Sequence, residues 1–152
     1  MKITYLANHL QHVATVARWV MDEWGHDSPS MTLESLEERF RANLNRDTIP
    51  LTLLAIDEDR PLGTASLVFY DMKDRQDLSP WLAAVYVLPE YRGRGIGSKL
   101  VKSIELLSAT FEVEKLYLFT PDRESFYACM NWTVLERTRY REKDVVIMMK
   151  EL

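Results

Sequence analysis

Three stretches of the chain repeat apolar residues at steps of three and four, the spacing that lines up one face of an α-helix. They cover residues 10–24, 33–44 and 96–111. Gly25 follows the first stretch and is a residue type suited to the position just after a helix. A fourth, shorter helix is predicted over residues 123–130. The pattern therefore predicts four helices.

Seven further segments have the length and the apolar or alternating pattern of β-strands. They are residues 2–6, 51–56, 62–70, 81–88, 115–120, 132–139 and 145–149. The fourth is almost wholly apolar, which is typical of a strand buried on both faces. The polar residues 57–61 and 141–144 predict hairpin turns. The strand at 81–88, the long helix and the strand at 115–119 instead predict a right-handed crossover between parallel strands, so the sheet should be mixed.

The composition is that of one globular domain, residues 1–152, with 47% apolar residues, which argues against disorder. Cys129 is the only cysteine, so an internal disulfide and a multi-cysteine zinc site are excluded. The formal net charge of −4 argues against a nucleic-acid partner. No apolar run approaches the roughly 18 residues of a membrane span, and residues 1–5 do not resemble a signal peptide. We therefore predict a cytoplasmic protein without a membrane partner.

A glycine-rich turn separates the apolar strand from the longest helix. It is the segment Arg92-Gly93-Arg94-Gly95-Ile96-Gly97-Ser98. Glycine permits a positive φ and leaves no side chain in the path of a ligand. The first N–H groups of a helix are unpaired and carry a partial positive charge. These features predict a cradle for an anion such as a pyrophosphate, with Arg92 and Arg94 at its rim.

The same glycines also fit a tight strand-to-helix turn that binds nothing. Their spacing distinguishes the turn from the better-known phosphate motifs, because Gly93, Gly95 and Gly97 do not fit G-x-G-x-x-G. No G-K-[ST] closes the loop either. A dinucleotide-binding fold and a P-loop nucleotidase are therefore disfavoured.

Two motifs resemble those of a known family. Arg92-Gly93-Arg94-Gly95-Ile96-Gly97 matches the R/Q-x-x-G-x-G/A signature of the GNAT superfamily of acyl-CoA-dependent N-acyltransferases, and Val85-Tyr86-Val87-Leu88-Pro89 resembles its preceding strand. Farther on, Phe126-Tyr127-Ala128-Cys129-Met130-Asn131-Trp132 resembles the family's F-Y-x-x-x-G-F element. The resemblance extends over essentially the whole chain. It implies an α/β (α+β) fold, with a mixed, mostly antiparallel central sheet of about seven strands and four helices on both faces.

The resemblance also implies an enzyme, an N-acetyltransferase that moves the acetyl group of acetyl-CoA directly to a primary amine of a small molecule, a peptide or a protein. Residues 92–98 would bind the pyrophosphate of acetyl-CoA, and Val85 and Val87 would pair with its pantetheine arm from one strand edge. A bulge would open the gap beside this strand. A backbone N–H near Val87 would stabilise the oxyanion. Tyr127 would be the general acid for the departing thiolate.

The match departs from the family pattern at several positions. Asn131 stands at the family's glycine, although asparagine tolerates the left-handed conformation better than most residues. The family's N-x-x-A before the tyrosine is absent, which leaves open a contact that its asparagine would make. No glutamate lies in residues 79–84 to act as general base. A water chain remains a candidate for that role, as do polar residues near the end of the first helix: Asp22, Glu23 and His26.

Two other kinds of function remain open from the sequence. One is a CoA-binding regulatory module without transfer, favoured by the missing glutamate. The other is an interaction domain that uses the Arg92 and Arg94 loop. The sequence leaves open whether the protein is a monomer or a homodimer, and it does not identify the acceptor.

Several side chains have a structural and a functional interpretation. Trp19, Trp24 and Trp81 fit core packing, and also an aromatic wall of the acceptor pocket. Five acidic residues could form a rim that attracts a cationic amine: Asp22, Glu23, Asp71, Asp74 and Asp77. His9 and His12 are predicted surface residues at the start of a helix. They do not indicate a metal site, because no cysteine or carboxylate cluster accompanies them in the sequence.

Overall fold

The computed structural model describes the backbone of all 152 residues and every side chain except that of Asp27. Seven strands form one sheet in the order β1-β2-β3-β4-β5-β7-β6. The strands are β1 Lys2–Tyr5, β2 Leu51–Asp57, β3 Arg60–Val68, β4 Trp81–Val87, β5 Lys115–Thr120, β6 Thr133–Tyr140 and β7 Lys143–Glu151. The helices are α1 Val13–Trp24, α2 Leu33–Ala42, α3 Ile96–Thr110 and α4 Glu124–Ala128. The predicted element order is confirmed.

The sheet is antiparallel at every pairing but one, because β4 and β5 run parallel. This confirms the predicted mixed sheet and its parallel strand–helix–strand unit. The parallel pairing places the end of β4, the start of α3 and the end of β5 at the same side of the sheet. Residues that follow these strands therefore meet there.

The apolar core is arranged differently on the two faces of the sheet. One cluster covers the α3 face and joins α3 and α4 to strands from both halves of the sheet, with Leu100, Ile104 and Leu118 among its buried members. The opposite face has two separate clusters. One lies under α1 and α2, and the other lies beneath residues 69–80 around Trp81 and Tyr140. The α1/α2 face is therefore divided, whereas the α3 face is continuous.

The ends of α1 and α2 follow from local chemistry. Two 3₁₀ turns, Leu6–Asn8 and Leu10–His12, precede α1, so this helix starts later than its apolar stripe predicts. Thr32 caps α2 in a reciprocal capping box with Ser35, each side chain accepting from the other residue's N–H at 3.0 Å. The capping box thus fixes the start of α2, whereas α1 continues from the second 3₁₀ turn without a side-chain cap.

Gly25 closes α1 for a different reason from the one predicted. Its φ is −63°, so it does not use the left-handed conformation that glycine provides after a helix. A Cβ at this position would lie 2.7 Å from the Met21 Sδ. The Met21 side chain packs directly against the Gly25 backbone, in the space that a Cβ would occupy.

Two predicted boundaries shift. The strand expected to reach Tyr70 ends at Val68, and Phe69 and Tyr70 are about half exposed. The last hairpin turn is only two residues long, with Arg141 at φ 51° and Glu142 at φ 65°. None of the helices in the described part of the chain is long and apolar enough to cross a membrane.

Candidate active site

A bulge interrupts β4 near its middle. Thr64 of β3 lies opposite Tyr86, but Ser66 lies opposite Ala83, so β4 has an extra residue between these pairs. Ala84 lies in this bulge, with a left-handed φ of 53°. A residue other than glycine seldom adopts this conformation. The bulge that the sequence could not locate is therefore at Ala84.

The bulge shifts the alternation of side chains along β4. Leu82 and Val85, three positions apart, both pack on the α3 face. Trp81 and Ala84, also three apart, both pack on the opposite face. In a regular strand residues three apart point to opposite faces. After the bulge, the alternation of side chains between the two faces is therefore offset by one residue from that before it.

A gap opens between β4 and β5 beyond their first residues. The two strands pair only where Trp81 faces Tyr117, and the Tyr117 N–H donates to the Pro80 carbonyl at 3.1 Å. Closer to the carboxyl ends, the described backbone shows no further β4–β5 pairing. We call this opening the β4–β5 gap. Beyond Trp81, the edge of β4 that faces β5 therefore has no strand partner.

The backbone groups of Val85 and Val87 face the β4–β5 gap. Leu88 uses its N–H toward β3, donating to the Leu62 carbonyl at 2.9 Å. Because backbone groups alternate in direction along a strand, those of Val87 and Val85 point the other way. The Val87 carbonyl accepts a 2.8 Å hydrogen bond from Nε of Arg92. The Arg92 side chain therefore folds back over the end of β4.

The glycine-rich loop is open toward solvent. Gly93 has φ 78° and Gly95 has φ 82°, and a Cβ at either position would meet no atom within 4 Å. Gly95 is the N-cap of α3 and supplies no side-chain cap, so the next N–H groups, from Ile96 to Ser98, begin the helix without a capping partner. These N–H groups lie where the sequence predicts an anion cradle.

The two arginines of the loop rest on aromatic rings. The Arg92 guanidinium lies 5.4 Å from the centre of the Tyr86 ring. The Arg94 guanidinium lies 5.1 Å from the centre of the Tyr91 ring, and Arg60 lies at the same distance from that ring. Such cation–π contacts hold the charges near the loop at little cost in hydration.

Tyr127 lies in α4, beside the start of α3. A Cβ at Gly97 would lie 3.5 Å from Cζ of Phe126 and 3.7 Å from Cγ2 of Val87, so strand end, loop and α4 meet at this glycine. The Tyr127 ring is 7% exposed and packs edge-to-face on Phe126 and Trp132. Burial raises the pKa of Tyr127 well above the usual value of a tyrosine. Its hydroxyl therefore stays protonated at neutral pH.

A buried ion pair between Glu105 and Lys150 holds Trp132, the residue that packs on Tyr127. The Glu105 carboxylate of α3 accepts from Nε1 of Trp132 at 3.2 Å and from Nζ of Lys150 at 2.6 Å. Lys150 also donates to the Met130 carbonyl at 2.8 Å. Glu105 is thus fully engaged, and it fixes the Trp132 ring that packs on Tyr127.

A cavity of about 460 Å³ lies beside the first turns of α3. Its lining includes Gly95, Ser98, Lys99, Lys102, Cys129 and Lys150. The sequence reasoning did not identify Lys99 and Lys102. Their spacing of three residues on the helix that follows the glycine loop is the signal that would have found them, because residues three apart share a helix face. The cavity thus places positively charged side chains next to the glycine loop.

The α1/α2 face of the gap is aromatic and acidic. Trp19 stacks on Tyr86 at 5.4 Å, and Trp24 meets the same ring edge-on at 6.4 Å. Burial raises the pKa of Tyr86, and the carboxylates of Glu23 and Asp22 raise it further against the opposing effect of Arg92. Trp81 is different: it is fully buried in the core and donates to the Leu78 carbonyl at 2.7 Å.

The predicted site residues are thus brought together at one side of the sheet. Val85 and Val87 border the β4–β5 gap, residues 92–98 follow the end of β4, and α4, which contains Tyr127, meets Gly97 through Phe126. Of the acidic residues in the 71–80 loop, Asp77 is paired with Arg75 at 3.1 Å. Asp71 is half-buried and lies near Arg39 and Arg141.

Comparison with known proteins gives a consistent result. The sequence model of the acetyltransferase (GNAT) family matches residues 13–129. No curated protein sequence gives a significant match. The solved structures give many matches at the level of the fold.

Three of these structures show how far the likeness extends. Aminoglycoside 6'-acetyltransferase type Ii has a TM-score of 0.77 at 19% identity, covering 99% of this chain and 97% of its own. Ribosomal-protein-alanine N-acetyltransferase from Brucella melitensis has a TM-score of 0.74 at 20% identity, covering 100% of both chains. yncA, a putative acetyltransferase from Salmonella typhimurium solved with acetyl-CoA, has a TM-score of 0.74 at 14% identity, covering 99% and 93%.

Proposed function

The chain belongs to the GNAT acetyltransferase family, and on this premise we propose that it transfers the acetyl group of acetyl-CoA directly to a primary amine. The observation that carries the proposal is the β4–β5 gap, with an unpartnered edge of β4 on one side and the glycine loop at the end of that strand. A gap of this kind accepts an extended arm as if it were an added strand.

Acetyl-CoA would bind in three parts. The pyrophosphate would accept hydrogen bonds from the N–H groups of residues 92–98, where the helix dipole also favours negative charge. The pantetheine arm would lie along β4 and pair with Val85 and Val87. Lys99 and Lys102 would face the phosphates of the nucleotide from the adjoining cavity. The Arg92 side chain would have to release the Val87 carbonyl for full pairing.

The reaction that this arrangement supports is a single direct transfer. The neutral amine attacks the thioester carbonyl carbon, and the carbonyl oxygen takes up negative charge, which a backbone N–H near Val87 would stabilise. The C–S bond then breaks and the C–N bond remains. The thiolate takes the proton of the Tyr127 hydroxyl, and the proton lost by the amine passes to water. Solvent restores the proton of Tyr127.

The acceptor would enter from the α1/α2 face. The apolar packing is divided on that face, and Trp19, Trp24 and Tyr86 line it beside the carboxylates of Asp22 and Glu23. Aromatic faces and carboxylates both attract cations. We therefore propose an amine that binds as its ammonium cation and loses one proton to water before it attacks as the neutral amine. The names of the similar structures include an aminoglycoside and a ribosomal-protein alanine, so both small-molecule and protein amines belong in the test.

The first experiment measures binding and transfer separately. Acetyl-CoA is titrated calorimetrically, and a panel of amines is then screened by the loss of acetyl-CoA and the gain of product mass. Chromatography is preferable to a thiol reagent, because the exposed Cys129 would also react. We expect micromolar-range binding and acceptor-dependent turnover. Binding without turnover on any amine or peptide would favour a regulatory CoA-binding module, and no binding would refute the proposal.

Tyr127→Phe tests the general acid. Removal of the hydroxyl should lower kcat by about 10²–10⁴-fold, the usual contribution of a general acid, and leave the Kd for acetyl-CoA nearly unchanged. Tyr5→Phe is the matched control, because Tyr5 is also partly buried but lies in β1, away from the gap. Equal kcat for Tyr127→Phe and Tyr5→Phe would remove Tyr127 from the mechanism.

A further inference from the structure

Two histidines and an aspartate meet outside the residues proposed for acetyl transfer. His9 lies between the two 3₁₀ turns before α1, His12 ends the second of them, and Asp59 lies in the turn between β2 and β3. One ring nitrogen of each histidine and one carboxylate oxygen of Asp59 all lie within 4.8 Å of one another. The sequence separates Asp59 widely from the histidines, so only the fold reveals this cluster.

The backbone holds the two histidines in a fixed relation. The His9 N–H donates to the Leu6 carbonyl at 2.8 Å, and the His12 N–H donates to the His9 carbonyl at 2.9 Å. The buried side chains of Leu6 and Val13 anchor the segment on both sides. The imidazole rings lie almost parallel, with an angle of 21° between them and 6.1 Å between their centres.

The third member is held by a tight hairpin. Asp57 pairs with Arg60, so the turn consists of Glu58 and Asp59, with Glu58 at φ 55°. The Asp59 side chain is exposed and free to change rotamer. The turn therefore fixes the backbone of Asp59 beside the histidines and leaves its carboxylate adjustable.

An independent observation concerns His12 alone. Its Nε2 is shielded from solvent and has no hydrogen-bond partner, and no other buried side-chain nitrogen or oxygen of the described residues is in this state. A buried polar atom without a partner costs free energy unless something satisfies it. A ring nitrogen in this condition has either an unused lone pair or an unused N–H. Coordination to a metal ion satisfies the first case directly.

The donor set selects a class of ion. Two imidazole nitrogens and one carboxylate oxygen suit zinc and the neighbouring transition metals, whereas magnesium and calcium prefer oxygen ligands alone. Zinc bonds of about 2.0–2.2 Å place tetrahedral ligand atoms roughly 3.3 Å apart. The observed separations of up to 4.8 Å need only a modest contraction. Rotation of the exposed Asp59 side chain shortens its distances to the two nitrogens, and small rotations of the imidazole rings bring these nitrogens closer to each other.

From the cluster and the unsatisfied His12 nitrogen, we propose that His9, His12 and Asp59 form a site for one divalent transition-metal ion, with zinc as the reference ion. Water would complete the coordination. The bound ion ties the segment before α1 to the β2–β3 turn, so it stabilises the folded chain by mass action. This site is independent of the acetyl-CoA proposal.

The test titrates metal-free protein with ZnCl2 in a calorimeter. The protein carries no affinity tag and has the substitution Cys129→Ser, because an exposed thiol is itself a zinc ligand. We expect one ion per chain. Asp59→Asn and His9→Gln, which alter side chains that are not part of the core, should each raise the Kd by about tenfold or more. Glu58→Gln is the matched control, since it removes the neighbouring carboxylate of the same turn, and its Kd should stay unchanged.

A second readout separates ligation from folding. At one fixed ZnCl2 concentration, the rise in Tm should be similar for the Cys129→Ser protein and Glu58→Gln, and clearly smaller for Asp59→Asn. CoCl2 in place of ZnCl2 should give the visible absorption of low-coordinate cobalt in the same two proteins. If zinc binds equally well to Asp59→Asn and His9→Gln, or fails to bind at millimolar concentration, the proposed site is wrong.

Discussion

Asp71 is a half-buried carboxyl group where α2, the 69–80 segment and the β6–β7 turn approach one another. Burial raises its pKa to about 6, although Arg39 and Arg141 both act to lower it. An unfolded aspartate has a pKa of about 3.9, so the folded state holds this proton more tightly. The stability that Asp71 contributes is therefore present below pH 4 and is lost as the pH rises through about 6.

The first prediction follows from the raised pKa of Asp71 in the folded state. At pH 8 Asp71 is ionised at a cost, so Asp71→Asn should raise the free energy of unfolding by about 1–2 kcal/mol, less than the full shift implies because the group is only half-buried. At pH 4 the difference should nearly vanish, since the aspartate is then protonated in the folded state. Urea unfolding at the two pH values measures both.

Asp74→Asn provides the control for this prediction. Asp74 is an exposed carboxylate of the same loop, and its replacement should change stability little at either pH. A less stable Asp71→Asn protein at pH 8 would mean that attraction to Arg39 and Arg141 outweighs the cost of burying the charge.

At the scale of elements, sequence pattern predicts what is determined locally. Seven strands and four helices follow from spacings of two and of three to four residues, because each element must bury one face. Gly25 shows the limit. Its residue type suggested a left-handed helix end, whereas the structure uses it to admit the Met21 side chain. The contact with Met21 depends on packing, which the residue type at position 25 does not reveal.

In the candidate site, too, local sequence motifs could be recognised, whereas features that depend on the fold could not. Glycine spacing located the loop at residues 92–98, and the F-Y motif located Tyr127. The position of the bulge escaped prediction because it falls on Ala84, a residue type that normally avoids a φ of 53°. Asp59 escaped because its proximity to His9 and His12 depends on how a hairpin packs beside a turn far away in the sequence.

The second prediction compares two glycines of the loop. Gly95→Ala should destabilise the fold by about 1–2 kcal/mol, because an L-residue at φ 82° is strained although no atom obstructs its Cβ. Gly97→Ala should be neutral or stabilising by up to about 1 kcal/mol, because Gly97 is helical and its Cβ would make ordinary contacts at 3.5 Å and 3.7 Å.

Thermal unfolding of the two variants without ligand tests this comparison. The pair is matched in side-chain size and in position, so their difference isolates backbone conformation. If both proteins unfold at the same temperature, the loop relaxes away from the left-handed conformation at Gly95 without cost, and the strain argument fails.

At the scale of the whole molecule, the β4–β5 gap divides the sheet into two parts. Strands β1–β4 lie on one side and β5–β7 on the other, and they pair directly only at Trp81 and Tyr117. The α3 face joins them through one apolar cluster and through Glu105, which accepts hydrogen bonds from Trp132 and Lys150. The α1/α2 face has no such continuous cluster among the described residues. A ligand in the gap would therefore supply a connection that the protein alone lacks.

The third prediction is that acetyl-CoA changes hydrogen exchange on both sides of the gap. Amides of Val85, Val87 and residues 96–98 should exchange more slowly because they donate to the ligand, and those of β5 should slow because subglobal opening of the gap becomes rarer. Global stability should also rise with ligand concentration, by about 2.7 kcal/mol at a hundred times Kd. Amides of β1, remote from the gap, should change only to the extent of this global term. Protection confined to residues 96–98 would mean that the phosphates alone bind and that the arm does not pair with β4, in which case the gap is not the site of transfer.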